Sequence, residues 1–128
     1  MLRRNIVQSL KHKLHTTSIM NSTGFNGHTT GAEVAERFAS LIVGKTVLIT
    51  GINIEGLGGS AAQAIATARP ALILLSARST ARAQPVADSI TTCPTQIVEM
   101  DLGSLASVKK AAASIDKPID ILINNAAV

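Results

Sequence analysis

The amino-acid sequence predicts an α/β fold in which a doubly wound parallel sheet is covered by helices on both faces. From residue 45 onward, short apolar runs alternate with longer amphipathic segments in the order β-α-β-α-β-α-β, which is the pattern of a parallel sheet. The strand runs TVLIT and ALILL are continuously apolar, as expected of strands that are buried on both faces. A glycine-rich turn follows the first strand.

The predicted elements begin with a helix after Thr30. Thr30 and Glu33 have the spacing of a capping box. Val34, Phe38 and Leu41 recur on one face of this helix, which is predicted to end near residue 44. The elements that follow are, in chain order, strand Thr46–Thr50, helix Leu57–Ala68, strand Ala71–Leu75, helix Ala81–Ile90, strand Thr95–Met100, helix Ser104–Ile115 and strand Ile119–Ile123.

Residues 1–30 are predicted to be a basic leader followed by a linker rich in Ser, Thr, Asn and Gly. Apolar residues at positions 2, 6, 10 and 14 form one helical stripe among basic residues, with no acidic residue before Glu33. This profile is typical of a mitochondrial transit peptide. The alternatives are a disordered tail and a start of translation at Met20. We therefore expect a mitochondrial protein if the leader is a transit peptide and a cytoplasmic one otherwise.

The composition excludes several classes of protein. The net charge of +4 arises in residues 1–32, because residues 33–128 hold equal numbers of basic and acidic side chains. A nucleic-acid-binding domain would carry its basic patch on the folded part, so no nucleic acid partner is predicted. No uncharged apolar run approaches the roughly 20 residues of a membrane span. The single cysteine, Cys93, allows neither an internal disulfide nor a thiolate metal cluster, and no metal site is predicted.

The turn between the first strand and its helix carries the main functional signal. Gly51, Gly56 and Gly58 lie in this turn. Glycines at such a position let the backbone approach a pyrophosphate, and the helix N-terminus points free N–H groups at the phosphates. The sequence therefore predicts dinucleotide binding. The alternative is that the glycines serve only a tight turn and close packing.

The charge pattern after the second strand favours NADP over NAD. An NAD site places an acid about 20 residues beyond the glycines to hold the ribose 2′-hydroxyl, whereas an NADP site offers arginine to the 2′-phosphate. Arg78 lies 20 residues after Gly58, and Arg82 lies one helical turn further on. No acidic residue occurs between Glu55 and Asp88. NADP is the predicted cofactor, and the alternative for Arg78 is a solvated loop side chain.

Residues 30–128 resemble the short-chain dehydrogenase/reductase family, and within it the retinol-dehydrogenase-like branch common in fungi. The resemblance rests on GKTVLITG at residues 44–51, MDLGSLASVKKA at 100–111 and INNAA at 123–127. It implies a Rossmann-type sheet truncated after the fourth strand. Residues 31–128 would then be a partial NAD(P)-binding domain, the N-terminal half of a family member.

The resemblance also implies site residues. Asp101 would accept a hydrogen bond from the adenine amino group. This sequence departs from the family at two points, because four residues separate Gly51 from Gly56 where three are usual, and Ala127 replaces a glycine. The predicted cofactor-binding residues are Gly51, Asn53, Gly56, Leu57, Gly58, Arg78, Asp101, Leu102 and Asn125.

The chain contains no tyrosine. Members of the family transfer hydride with a Tyr-x-x-x-Lys pair beyond the fourth strand, so no catalytic residue is predicted here and the chain alone is expected to be inactive. Three functions stay open. The chain is the NADP-binding half of a short-chain oxidoreductase that acts on an alcohol or carbonyl, a non-catalytic NADP-binding module or partner subunit, or a remnant without function. The sequence does not specify a substrate.

The fourth strand is predicted to be an exposed edge of the sheet. Residues 119–123 are apolar except for Asp120, and long apolar edges invite pairing with another chain. We therefore expect self-association, or a partner chain that completes the sheet at these residues. The alternative is a stable monomer in which residues 124–128 fold back over the edge.

Overall fold

A computed structural model describes residues 24–127 of the chain. Four parallel strands form one sheet in the order β3-β2-β1-β4. Their bounds are β1 Thr46–Thr50, β2 Leu72–Ala77, β3 Thr95–Glu99 and β4 Ile121–Ile123. The sheet confirms the predicted fold class. The predicted leader stripe and transit peptide fall on residues 1–23, which lie outside the described residues.

Helices cover both faces of this sheet. Their bounds in the described part of the chain are α1 Gly31–Arg37, α2 Ala39–Ile42, α3 Leu57–Ala66, α4 Thr80–Ser89 and α5 Leu105–Ser114. Side chains of α3 and α4 join the larger hydrophobic core on one face, and α5 joins a smaller core on the other. The sheet is therefore doubly wound, as the order of the elements predicts.

The central strands β1 and β2 are buried almost throughout their length. Val47 and Ile49 of β1 point into the larger core, whereas Leu48 between them points into the smaller one. This explains why the strand reads as one apolar run in the sequence, since both of its faces are covered. Strand β2 continues two residues beyond its predicted end at Leu75. The sequence does not indicate this continuation, because the polar Ser76 interrupts the apolar run. In the structure Ser76 is buried and pairs with Thr50 of β1.

The predicted first helix is divided into α1 and α2 at Phe38, whose φ of −108° and ψ of 18° are not helical. The capping box at its start is confirmed, because the amide of Glu33 donates to Thr30 Oγ1 and the amide of Thr30 donates to Glu33 Oε2. The helix packs on α3 rather than on the sheet. Its buried residue is the small Ala35, whereas Leu41 of α2 remains 64% exposed.

Strand β4 is shorter than predicted, because pairing in the ladder begins at Ile121 rather than at Ile119. Asp120 explains the difference. Its amide donates to the carbonyl oxygen of Thr46, and its carboxylate Oδ2 accepts a hydrogen bond of 2.8 Å from the amide of Thr46. The carboxylate thus fastens the start of β4 to the start of β1. It is directed at β1 and does not shield the outer side of β4.

None of the helices in the described range 24–127 is long and apolar enough to cross a membrane.

Candidate functional site

A cleft of about 760 Å³ opens at the carboxyl ends of the strands. It lies where the chain order of the sheet reverses, because β1 is flanked by β2 on one side and by β4 on the other. This is the place where open α/β sheets bind their ligands. Six of the nine predicted site residues line the cleft, namely Gly51, Asn53, Arg78, Asp101, Leu102 and Asn125. The lining residues that the sequence did not suggest as ligands include Ile52, Ser76, Ala77, Met100, Gly103 and Ala126.

The glycine loop starts with a residue that must be glycine for structural reasons. Gly51 has a φ of 73°, in the left-handed region that side chains rarely adopt. A Cβ at this position would lie 2.7 Å from the Cα of Ala126. The next residue, Ile52, is buried, and its amide donates to the carbonyl oxygen of Ser76 on β2. The start of the loop is therefore held tightly between the ends of the strands.

Gly58 and Gly59, on the first turn of α3, are also required by internal packing. A Cβ on Gly58 would meet the side-chain nitrogen of Asn125 at 2.5 Å and the carbonyl oxygen of Gly51 at 2.9 Å. A Cβ on Gly59 would overlap the carbonyl oxygen of Asn53. Gly59 was not selected from the sequence. Its role follows from the path of the loop, which places the carbonyl of Asn53 directly against α3.

Gly56 differs from the other glycines of the loop. Its φ of −101° and ψ of 165° are open to any residue, and a Cβ would meet nothing closer than 3.5 Å. Neither backbone conformation nor internal packing therefore demands a glycine here. Gly56 is the N-cap of α3 and supplies no side-chain hydrogen bond to it. The first amides of α3, beginning with Leu57, have no partner within the helix and form its positive end.

Asn125 ties the end of β4 to the glycine loop. Its side-chain nitrogen donates to the carbonyl oxygens of Thr50 and Gly51, at 3.0 and 3.1 Å. The amide of Ala126 adds a hydrogen bond to Thr50 Oγ1. The sequence predicts that Asn125 contacts the cofactor, and that contact stays a prediction. The structure shows that its amide group also holds the loop in place.

Two arginines and an aspartate face the other end of the cleft. Arg78, directly after β2, and Arg82, on the first turn of α4, both line it. Asp101 lines it from the end of β3, and its Oδ1 accepts a hydrogen bond from the amide of Gly103. The amide of Asp101 donates to Ser107 Oγ on α5. These bonds fix the backbone around the carboxylate that, by the family resemblance, is expected to contact adenine.

Glu99 is an acidic residue beside this end of the cleft that sequence reasoning missed. It is the last residue of β3 and pairs with Ala77 of β2, which precedes Arg78. Its Oε1 accepts hydrogen bonds from the amide and the hydroxyl of Thr80, at 2.8 and 2.7 Å. The spacing rule for an acid applies to the segment after β2, whereas Glu99 comes from the neighbouring strand β3. The register that places Glu99 opposite Ala77 is seen only in the structure.

The hydrogen bonds of Thr80 hold the pKa of Glu99 below its usual value. The hydroxyl contributes most and the backbone amide next, while the positive charge of Lys110 lowers this pKa further. A smaller cleft of about 280 Å³ lies on this side of the site and is lined by Glu99 and Lys110. It shares Arg78 and Asp101 with the larger cleft.

Within residues 24–127, no group of three or more His, Cys, Asp or Glu side chains could hold a metal ion. Cys93 is partly buried, and burial raises the pKa of its thiol. A raised pKa favours the neutral thiol over the reactive thiolate.

The parallel sheet, its glycine loop and the cleft at the reversal of strand order define the Rossmann-type class of α/β proteins. The chain belongs to the short chain dehydrogenase family, because the model of that family matches residues 45–128. This finding confirms the family resemblance that the motifs predict. Members of this family are oxidoreductases that bind NAD(P).

Two curated fungal relatives are similar to the chain. It is 34% identical over 111 residues to the oxidoreductase fscI of Fusarium equiseti, covering 81% of this chain and 43% of the relative. It is 35% identical over 85 residues to the short-chain dehydrogenase/reductase phmF of Phaeosphaeria nodorum, covering 62% of this chain and 25% of the relative. The chain therefore spans less than half the length of each.

Proposed function

We propose that these residues form the NADP-binding half of a short-chain oxidoreductase that transfers hydride between NADP(H) and an alcohol or carbonyl. The observation that carries the proposal is Gly56, a glycine that the protein's own packing does not require. A pyrophosphate that approaches the N-terminus of α3 would need the space that a side chain at residue 56 would otherwise fill. The free amides of the first turn of α3 would then bind its charged oxygens.

The end of the cleft that follows β2 and β3 supports the choice of NADP. The guanidinium groups of Arg78 and Arg82 line it, and guanidinium groups bind phosphate with parallel hydrogen bonds. No acid occurs in the chain between Glu55 and Asp88, the segment in which NAD sites carry one. Asp101 and Leu102 line the same end and would contact the adenine ring.

The cofactor supplies the hydride, and the residues of this chain bind and orient it. Reduction of a carbonyl also needs an acid that protonates the developing alkoxide. The 128 residues contain no tyrosine, so a tyrosine acid would have to come from residues outside them. The contribution of the chain under this proposal is therefore cofactor binding.

A non-catalytic NADP-binding module or partner subunit is the second candidate, and the open edge of the sheet favours it. In the described residues β4 pairs only with β1, and Leu122 of β4 is 56% exposed. We propose that the outer side of β4 pairs with strands from elsewhere, either a second copy of the chain or a partner that completes the sheet. Unpaired strand edges attract such additions.

The test of the binding proposal is titration of NADPH fluorescence with the 128-residue chain and with Gly56→Ala. A Cβ at residue 56 fits the protein itself but would occupy the space of the pyrophosphate. We expect affinity to fall by about tenfold or more, which corresponds to at least about 1.4 kcal/mol. Loss of the glycine cap alone costs the helix only about 1 kcal/mol, so the fold should persist.

The matched control is Gly27→Ala, since a Cβ at Gly27 would touch nothing within 4 Å and Gly27 does not line the cleft. The control should bind NADPH as the unchanged chain does. Equal affinity of Gly56→Ala and the unchanged chain would overturn the proposed position of the pyrophosphate.

A further inference from the structure

Glu99 and Thr80 connect β3 to the start of α4, beside Arg78 of the proposed cofactor site. Glu99 Oε1 accepts hydrogen bonds from both donors of Thr80, its amide and its hydroxyl. Ser79, the N-cap of α4, makes no side-chain hydrogen bond to the helix. The carboxylate of Glu99 therefore takes the place of a cap and compensates the positive end of α4.

These two donors lie near Arg78 along the chain, with only Ser79 between Arg78 and Thr80. Thr80 lies two residues after Arg78, and Glu99 pairs with the residue that precedes Arg78. Arg78 and Glu99 also line the same smaller cleft. A phosphate bound by Arg78 would thus find the amide and hydroxyl of Thr80 already bonded to a carboxylate. It would also be close to the negative charge of that carboxylate, which opposes a second negative group.

We propose that Glu99 is a specificity-determining residue that weakens the preference for NADPH over NADH. This inference rests on the proposed NADP-binding function and concerns the same end of the cleft. The carboxylate acts in two ways. It withholds the amide and hydroxyl of Thr80 from the 2′-phosphate, and it repels the charge of the phosphate. The 2′-hydroxyl of NADH is not repelled, because it carries no charge, and as a neutral acceptor it loses less than a phosphate does when these donors are withheld.

The direction of the effect distinguishes Glu99 from a residue that only stabilises the fold. A structural residue affects the binding of both cofactors equally when it is changed. Glu99 is expected to affect only the cofactor that carries the 2′-phosphate. The two arginines attract this phosphate and Glu99 opposes them, so the preference of the chain reflects the balance between these charges.

The test is Glu99→Gln, measured by titration of NADPH and NADH fluorescence. Glutamine keeps the length of the side chain and an oxygen that accepts from Thr80, and it removes the charge. We expect the Kd of NADPH to fall about three- to tenfold and that of NADH to change less than about twofold, the size expected of one partly screened charge. The gain for NADPH should shrink as ionic strength rises.

The control is Glu36→Gln, the same change at an exposed residue of α1 that does not line either cleft. It should leave the ratio of the two affinities unchanged. Titration with adenosine 2′,5′-bisphosphate and with AMP, by displacement of NADPH, repeats the comparison without the nicotinamide half of the cofactor. The gain in Glu99→Gln should appear with the bisphosphate and be absent with AMP.

The outcomes separate this inference from the proposed function. If the unchanged chain binds neither the cofactors nor the adenosine phosphates, the proposed function is overturned and the role of Glu99 with it. If the unchanged chain binds NADPH but Glu99→Gln weakens it, or shifts NADPH and NADH in parallel, only the role of Glu99 is overturned. Thermal unfolding of both variants identifies any change that acts through stability instead.

Discussion

The side-chain nitrogen of Asn125 lies 3.0 Å from the carbonyl oxygen of Thr50, so the segment after β4 is fastened to the end of β1. The same nitrogen reaches the carbonyl oxygen of Gly51. The nitrogen also lies only 2.5 Å from the position that a Cβ on Gly58 would take. One amide group therefore joins the first strand, the glycine loop and the start of α3.

We expect Asn125→Asp to destabilise the chain and to weaken cofactor binding. Aspartate has the same shape but replaces the donor by an acceptor, so two carbonyl oxygens lose their partner and face a negative charge. Loss of such bonds costs about 1–3 kcal/mol. Urea unfolding measures the effect, with Asn124→Asp at the neighbouring exposed residue as the control. Equal stability of the two variants would show that the bonds of Asn125 contribute nothing.

Gly59→Ala is expected to affect mainly the stability of the fold, and Gly56→Ala mainly the binding of NADPH. The Cβ at residue 59 would overlap the carbonyl oxygen of Asn53, and such overpacking costs about 1–3 kcal/mol. Gly59→Ala should therefore lower the midpoint of thermal unfolding, whereas Gly56→Ala should mainly lower the affinity for NADPH. A Gly59→Ala variant as stable as the unchanged chain would contradict the loop path described above.

Sequence reasoning was most accurate where both faces of an element are covered. The bounds of β1 were predicted correctly, because a strand buried on both sides leaves a continuous apolar run. The continuation of β2 through Ser76 was missed, since a hydrogen-bonded polar residue interrupts such a run. The shorter β4 was also missed, because nothing in the local sequence pattern indicates that the carboxylate of Asp120 binds the amide of Thr46 and that the ladder begins only at Ile121.

In the candidate site, too, some residues could be predicted from the sequence and others could not. The glycines and Arg78 follow known spacings along the chain, so their positions could be predicted. The contacts of Asn125 and Glu99 join residues that are 75 and 19 positions apart. They depend on the register of neighbouring strands, which a single sequence does not specify.

Arg78→Glu tests the assignment of NADP as the cofactor. We expect the affinity for NADPH to fall about ten- to a hundredfold, because a charged hydrogen-bonding partner of the phosphate is replaced by a repelling group. The affinity for NADH should change much less. Fluorescence titration measures both, and Arg37→Glu on α1 is the matched control, since it lies away from the cleft. If the unchanged chain binds NADH and NADPH equally, the assignment to NADP is wrong.

The 128-residue chain alone is expected to show no hydride transfer with any alcohol or carbonyl. A general acid typically contributes about 10²- to 10⁴-fold to such a reaction, and the chain has no tyrosine to serve as one. The absorbance of NADPH at saturating protein measures turnover. Consumption of NADPH that Gly56→Ala slows would show that another residue of the chain is the acid.

The last prediction concerns the open edge of β4. We expect the chain to self-associate in a concentration-dependent manner, as measured by light scattering, because the backbone groups on the outer side of β4 have no strand beside them in residues 24–127. Leu122→Lys should suppress this association, since Leu122 is 56% exposed and charges on edge strands oppose pairing. Ile121 is unsuitable for the test because it packs against the larger core. Leu105→Lys is the control, an equal change at an exposed residue of α5, and should associate as the unchanged chain does. A monodisperse monomer whose β4 amides resist hydrogen exchange would contradict the prediction, because the edge would then be satisfied within one chain.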